Sequence, residues 1–261
     1  MGGHHRRALL CLLLTVVLGT LVALRPAARA QGRWRIHLPI AGRGATVSPP
    51  GIDEDYGTLT IEGRPEMRPA ADHPDLNLAR RGWELADATR GLVDYGGATD
   101  PGAPRLAGLL ATAPIVRATY RVYDWDWGRM ARGAPIASPP VTLITLAANP
   151  QQLVRVPDSG RTLGDGYQVL VLYADTGRIT LKYTREDSVV VGYTLHLENV
   201  RVAPDLLALY READAGGRSR LPALRAGQAL GWAVGDAIGV AIRDNGAFMD
   251  PRSRKDWWPG Y

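Results

Sequence analysis

Between Val116 and Val202 the chain is a succession of short runs rich in β-branched and aromatic residues: VRATYRVYDWDW, VTLITLA, YQVLVLYA, RITLKYT and SVVVGYTLHLENVRV, divided by Gly, Pro or Asp. Runs of this length and makeup read as strands, and their close spacing predicts a mostly β fold. YADTGRI predicts a hairpin that turns at Asp175-Thr176-Gly177. One helix interrupts the pattern, with Pro204 in its first turn, an apolar stripe of Leu206, Leu207, Leu209 and Tyr210, and a stop at Gly216-Gly217. Upstream, YGTLTIEG alternates like a short strand, and Asp75 is placed to cap a short helix through Leu76, Leu78 and Trp83, limited by Pro74 and Gly82.

The first thirty residues belong to a different problem. Arg6 and Arg7 precede an apolar run from Ala8 to Leu24, and Ala28-Arg29-Ala30 is a small-x-small cleavage site, so residues 1–30 read as a secretory signal. Uncleaved, the run would be a membrane anchor at the short end of what spans a bilayer, the only membrane contact expected. Residues 31–55 (PIAGRGATVSPPG within them) are rich in Gly and Pro, lack periodicity and read as a flexible tether. The formal charge of +5 includes Arg6, Arg7, Arg25 and Arg29, so the exported chain carries only +1. That weakens any case for nucleic acid, whose phosphates require a concentrated basic face. The single cysteine, Cys11, leaves with the signal, so the mature chain has neither disulfides nor thiolate metal ligands and depends on its core.

The C-terminal third carries a resemblance. Leu224-Arg225-Ala226-Gly227-Gln228-Ala229-Leu230-Gly231 has the form of a Val-x-x-Gly-Gln-x-[IL]-Gly turn, and Val240 to Gly246 followed by Asp250-Pro251 has the form of a strand, a tight turn and a stop. In this order the segments resemble lysostaphin-like cell-wall zinc endopeptidases, over roughly residues 164–258. The resemblance implies a β-sandwich of the duplicated-hybrid-motif type for residues 158–261, with one short helix, preceded by a β-rich N-terminal region over 56–157 of unknown role. It also implies a zinc site, and there the chain departs from the family. The two strand histidines would fall at Ala237 and Gly239; the family's Tyr-x-His-Leu segment aligns either with Tyr193 to Leu197, keeping His196 but with an extra residue that would turn it to the opposite face of the strand, or with Leu209 to Glu212, replacing the histidine by Glu212; and His73 stands four residues before Asn77 rather than an aspartate. Zinc catalysis needs three protein ligands and an open position, so neither metal nor another cofactor is expected.

The remaining candidates are few. His196 is either the surviving catalytic histidine or a packing residue of an alternating strand. Asp124, Trp125, Asp126 and Trp127 alternate carboxylate and aromatic faces, which suits sugar stacking, a calcium site with hard oxygen ligands or a half-wet strand; Tyr120, Val122, Asp124 and Asp126 are expected to share one face. Trp257 and Trp258, beside Arg252, Arg254 and Lys255, suit either glycan stacking or an aromatic plug. No Gly-x-Ser-x-Gly surrounds Ser159, Ser188 or Ser219, and the glycines of YGGATDPGAP lack a phosphate-loop context. The expectation is an exported envelope protein with a non-catalytic peptidase-like domain that binds cell-wall polysaccharide, peptidoglycan or an envelope partner. The alternatives are a secreted hydrolase using carboxylates among Asp124, Asp126, Glu186, Asp187 and Glu198, or a structural surface protein.

Overall fold

In the computed structural model, which describes residues 51–261, the strand-forming runs become β1 (Gly57–Thr60), then, after the one-turn α1 (Leu78–Arg81), β2 (Trp83–Leu85), β3 (Val116–Asp126), β4 (Ala131–Pro135), β5 (Leu143–Ala147), β6 (Leu153–Arg155), β7 (Val169–Ala174), β8 (Arg178–Lys182), β9 (Tyr193–Glu198) and β10 (Val200–Val202). The helix α2 (Pro204–Ala215) follows, then β11 (Arg220–Leu224), β12 (Ala229–Ala233), β13 (Ala237–Asp244), β14 (Ala247–Phe248) and the C-terminal turn of helix α3 (Arg254–Trp257). The export signal expected over 1–30 and the tether up to residue 50 lie outside the described residues. No helix among the described residues is long and apolar enough to cross a membrane.

The strands form an eleven-stranded antiparallel sheet in the order β1-β11-β7-β8-β9-β13-β5-β3-β2, with β14 on β13 and β4 on β3, and a three-stranded sheet β10-β12-β6. Every residue of β7 is buried, and so are the six central residues of β13, because both strands are paired on both sides and covered on both faces. The large sheet ignores the boundary drawn at 157/158: β13 pairs with β9 on one side and with β5, from the N-terminal region, on the other. The last residues of the expected tether are likewise tied down, since Glu54 accepts the Ala229 backbone N–H at 2.9 Å and Ile52 packs on the core. Within the second sheet, β10 and β12 approach closely enough to need a glycine: a Cβ on Gly231 of β12 would stand 2.2 Å from the Arg201 carbonyl oxygen of β10.

Local chemistry accounts for the main elements. Asp175 closes the β7–β8 hairpin by accepting the backbone N–H groups of Gly177 (2.7 Å) and Arg178 (3.0 Å), an Asx turn of the expected kind. Helix α2 runs as its stripe predicts, with Leu206, Leu207 and Tyr210 buried, while Leu209 lies at the rim. Two expectations are corrected. Asp75 does not cap α1: the helix begins at Leu78 behind Asn77 and Trp83 opens β2, because the Asp75 carboxylate is held by Arg81 (2.6 Å) and Arg243 (2.7 Å) instead. Simple alternation also fails in β3, where register shifts between Val116 and Ala118 and between Tyr123 and Trp125 leave Val116, Thr119 and Val122 as the buried residues.

Candidate functional site

The register of the central strands collects a polar row on one sheet face. Arg178, Thr180 and Lys182 of β8 stand opposite Glu198, His196 and Thr194 of β9, which stand opposite Gly239, Ala241 and Arg243 of β13. Residues two apart share a face, so all nine positions point the same way. This is also the face of Ala237 and Gly239, so His196 is not turned to the opposite face as its alignment with an extra residue implies, and the face is closed. Residues 73–81 cross above it. Thr180 donates its hydroxyl to the Leu76 carbonyl at 2.7 Å, Asp75 bridges Arg81 and Arg243, and the Phe248 ring lies under the Arg243 guanidinium (4.6 Å) and stacks on His196 (6.2 Å).

His196 is 1% exposed, and its bonding is legible atom by atom. A threonine hydroxyl has one proton. Thr180 gives that proton to Leu76, so its contact with His196 Nδ1 (3.1 Å) makes the ring the donor and leaves Nε2 bare; Nε2 is buried and has no partner. Burial, reinforced by the Arg243 and Arg81 charges, pushes the imidazole down to about 3. Burial also holds His73 below its ordinary value, against the opposing charges of Glu66 and Asp75. The folded chain therefore keeps His196 neutral through the interval from about pH 6.5 to 3, where the unfolded chain takes up the proton. Stability is expected to fall as the pH drops across that interval, by up to about 1.4 kcal/mol per pH unit for this residue. Denaturant unfolding at pH 7 and pH 5 measures the slope, which His196→Gln should flatten; an unchanged slope would mean that His196 titrates normally in the fold.

The position expected to hold a second ligand cannot do so sterically. A Cβ on Gly239 would stand 2.9 Å from the Glu198 Cβ, so no larger side chain enters without displacing that strand neighbour. Glu198 itself is paired with Arg178 at 2.9 Å, and burial raises its carboxyl above the usual range against that pairing. Among the described residues no group of three or more His, Cys, Asp or Glu side chains stands where it could hold a metal ion.

The structure separates the other expected site residues. Trp257 and Trp258 are 2% and 1% exposed and donate their indole N–H groups to the carbonyls of Asp250 and Pro251, both at 2.8 Å. They are an aromatic plug, not a stacking surface, and the cations beside them are engaged as well: Arg252 with Asp250, Arg254 with Asp94, Lys255 with Asp256. Trp127 stays exposed at 46%, but Arg68 covers its ring at 5.1 Å and His73 meets it edge-on at 5.5 Å. Trp125 is half-buried. Asp126 closes the β3–β4 turn by accepting the Arg129 N–H, and the exposed Asp124 reaches Arg81 at 3.3 Å. Four of the five carboxylates offered for glycan hydrolysis are tied to different arginines, Asp187 to Arg218, Glu198 to Arg178, Asp124 to Arg81 and Asp126 to Arg129, while Glu186 has a buried oxygen without a hydrogen-bond partner.

Two hollows flank the plug where the Tyr193 ring meets Trp257 edge-on at 5.7 Å. One, of about 300 Å³, is polar and lined by Asp100, Arg161, Tyr193, Asp244 and Asn245 among others. Tyr193 donates to Asp100 at 3.0 Å, and burial with the Asp100 charge raises the Asp244 carboxyl. The second, of about 310 Å³, is mostly apolar and walled by Tyr95, Pro139, Pro140, Met249, Asp256 and Trp257. Four separated stretches of chain supply that wall. Of these residues the sequence patterns single out only Trp257, while the neighbouring Asp250-Pro251 marks the turn that brings Met249 in. Comparison with protein-family models, with curated proteins and with solved structures finds no match for this chain.

Proposed function

We propose that this is an exported cell-envelope protein whose residues 158–261 contribute, within a sheet they share with β1 and β5, a lysostaphin-like arrangement of the duplicated-hybrid-motif type, and that it binds cell-wall polysaccharide, peptidoglycan or an envelope partner without cutting it. The observation that carries the reading is the closed polar face. Gly239 leaves no room for a ligand side chain beside Glu198, Ala241 stands opposite His196, and residues 73–81 occupy the space a substrate would need above them. With Lys182, His196 and Glu198 of that face all buried, recognition is left to the margins of the sheet, where the two hollows lie. The low net charge expected of the exported chain favours contact by stacking and hydrogen bonding over long-range attraction.

The test is retention on insoluble cell-wall material by purified protein lacking residues 1–30. Retention is expected to persist in chelator and in high salt, with no release of soluble fragments. Elemental analysis showing about one zinc per chain, with fragments released in a chelator-sensitive way, would overturn the non-catalytic reading.

A further inference from the structure

We propose that the apolar hollow beside the C-terminal plug is a subsite for one uncharged pyranose ring, stacked on Tyr95 and hydrogen-bonded through its hydroxyls to Asp256. This rests on the binding function above and names its ligand as the sugar part of the wall rather than the peptide part. The hollow is at the small end of ligand pockets, which run from about 300 to 1,000 Å³, so it suits a ring or two and not a folded partner.

Two features of its wall point to a sugar. Tyr95 is 40% exposed, yet it is held in place: its hydroxyl donates to Asp250 at 2.7 Å, Asp250 is gripped by Arg252 through both oxygens, and Arg252 donates onward to the Thr89 carbonyl at 2.8 Å. An exposed aromatic face that is already immobilised loses little entropy when a ligand stacks on it. Pro139, Pro140 and Met249 extend the apolar wall, matching the C–H face of a pyranose.

The second feature is the distribution of unused acceptors. A carboxylate offers about four lone-pair positions. Asp250 spends its own on the Arg252 N–H, Arg252 Nε, Arg252 Nη2 and the Tyr95 hydroxyl. Asp256 receives only Lys255 Nζ on one oxygen (2.6 Å) and the Ser253 hydroxyl on the other (2.5 Å), so acceptor capacity is left over. Lys255 is itself fixed on the Ala98 carbonyl at 2.8 Å, and its charge offsets that of Asp256. The hollow therefore presents a rigid aromatic face and a spare acceptor without net charge. A neutral ligand with hydroxyl donors meets those demands, whereas a cationic peptide would have to compete with Lys255.

The probes are two neutral oligosaccharides, a β-1,4-linked N-acetylglucosamine trimer and a β-1,4-linked glucose trimer, titrated by calorimetry against the protein lacking residues 1–30. At least one is expected to bind, with an affinity insensitive to salt. Tyr95→Ala should weaken it about tenfold or more, Tyr95→Phe should restore most of it because the ring remains, and Asp256→Asn should weaken it at unchanged fold by circular dichroism. Saccharide affinity unchanged in Tyr95→Ala, or lost in Trp127→Ala instead, would overturn the assignment of the site. No saccharide binding while the protein still sediments with wall material would overturn this inference and leave wall binding standing; failure of both measurements would remove both readings. Binding of a Lys/Arg-rich peptide in place of either sugar would identify the hollow as a cation site and overturn the proposal.

Discussion

Trp257→Ala and Trp258→Ala are each expected to cost about 3–5 kcal/mol of folding stability, the range for truncating a fully buried tryptophan. Both rings are enclosed in the main core cluster, so the lost contacts leave cavities that the short turn of α3 cannot collapse into. Each truncation also removes an indole donor from a main-chain carbonyl, Asp250 in one case and Pro251 in the other, and an acceptor left unpaired in the interior adds to the cost. Denaturant unfolding followed by far-UV circular dichroism measures the change. A loss below about 1 kcal/mol would show that the tail is peripheral and that the sheet closes without it. The same expectation makes these substitutions unsuitable as binding probes, because any binding would be lost with the fold.

The second large effect is expected at Arg218. This arginine follows α2 in a left-handed conformation (φ 63°) and turns inward, donating to Asp187 from Nε and Nη2 at 2.8 and 2.7 Å, to the Leu172 carbonyl of β7 at 2.7 Å, and to Asp214 and the Tyr210 hydroxyl of α2. Asp187 also accepts the Glu66 backbone N–H at 2.9 Å. One guanidinium thus ties the end of α2 to β7, to the β8–β9 loop and, through Asp187, to the segment after β1. Asp187→Ala leaves the guanidinium buried without its main counter-charge and is expected to destabilise by about 3–5 kcal/mol. The double change Asp187→Leu with Arg218→Met removes the charge problem, so it should cost clearly less than the sum of the single changes. Strict additivity in that cycle would mean that the pair does not act as a unit.

The parts of the fold legible in the sequence are those whose signal is local. The β7–β8 hairpin announces itself through Asp175 and Gly177, and α2 through Pro204 and its stripe of Leu206, Leu207 and Tyr210, because turn chemistry and helical periodicity are complete within a dozen residues. Strand β4 had no such signal: its Ala-Arg-Gly-Ala-Pro composition is poor strand material, and it forms on the exposed flank of β3. The pairing of β1 with β11 and of β5 with β13 is likewise invisible, since register across such separations is decided by tertiary packing and not by either strand alone. The site divides in the same way. Absence of ligand chemistry at Gly239 could be read from residue identity, but the roof of residues 73–81 depends on Asp75 meeting Arg243 in space. The C-terminal aromatics looked equally fit for stacking and for plugging; only the carbonyls of Asp250 and Pro251, seven residues upstream in each case, decide it.

The position of β13 has a consequence in time. It is the last long strand of the chain, yet it stands in the middle of the large sheet between β9 and β5, and β11, nearly as late, holds β1 in place. Until residues 237–244 are present, β9 and β5 each have an open edge and no common neighbour. Closure of the sheet is thereby postponed until β13 has been made, and the long loops that must be closed at that moment slow it further. A chain built this way commits to its native sheet only once β13 is available to join its two halves.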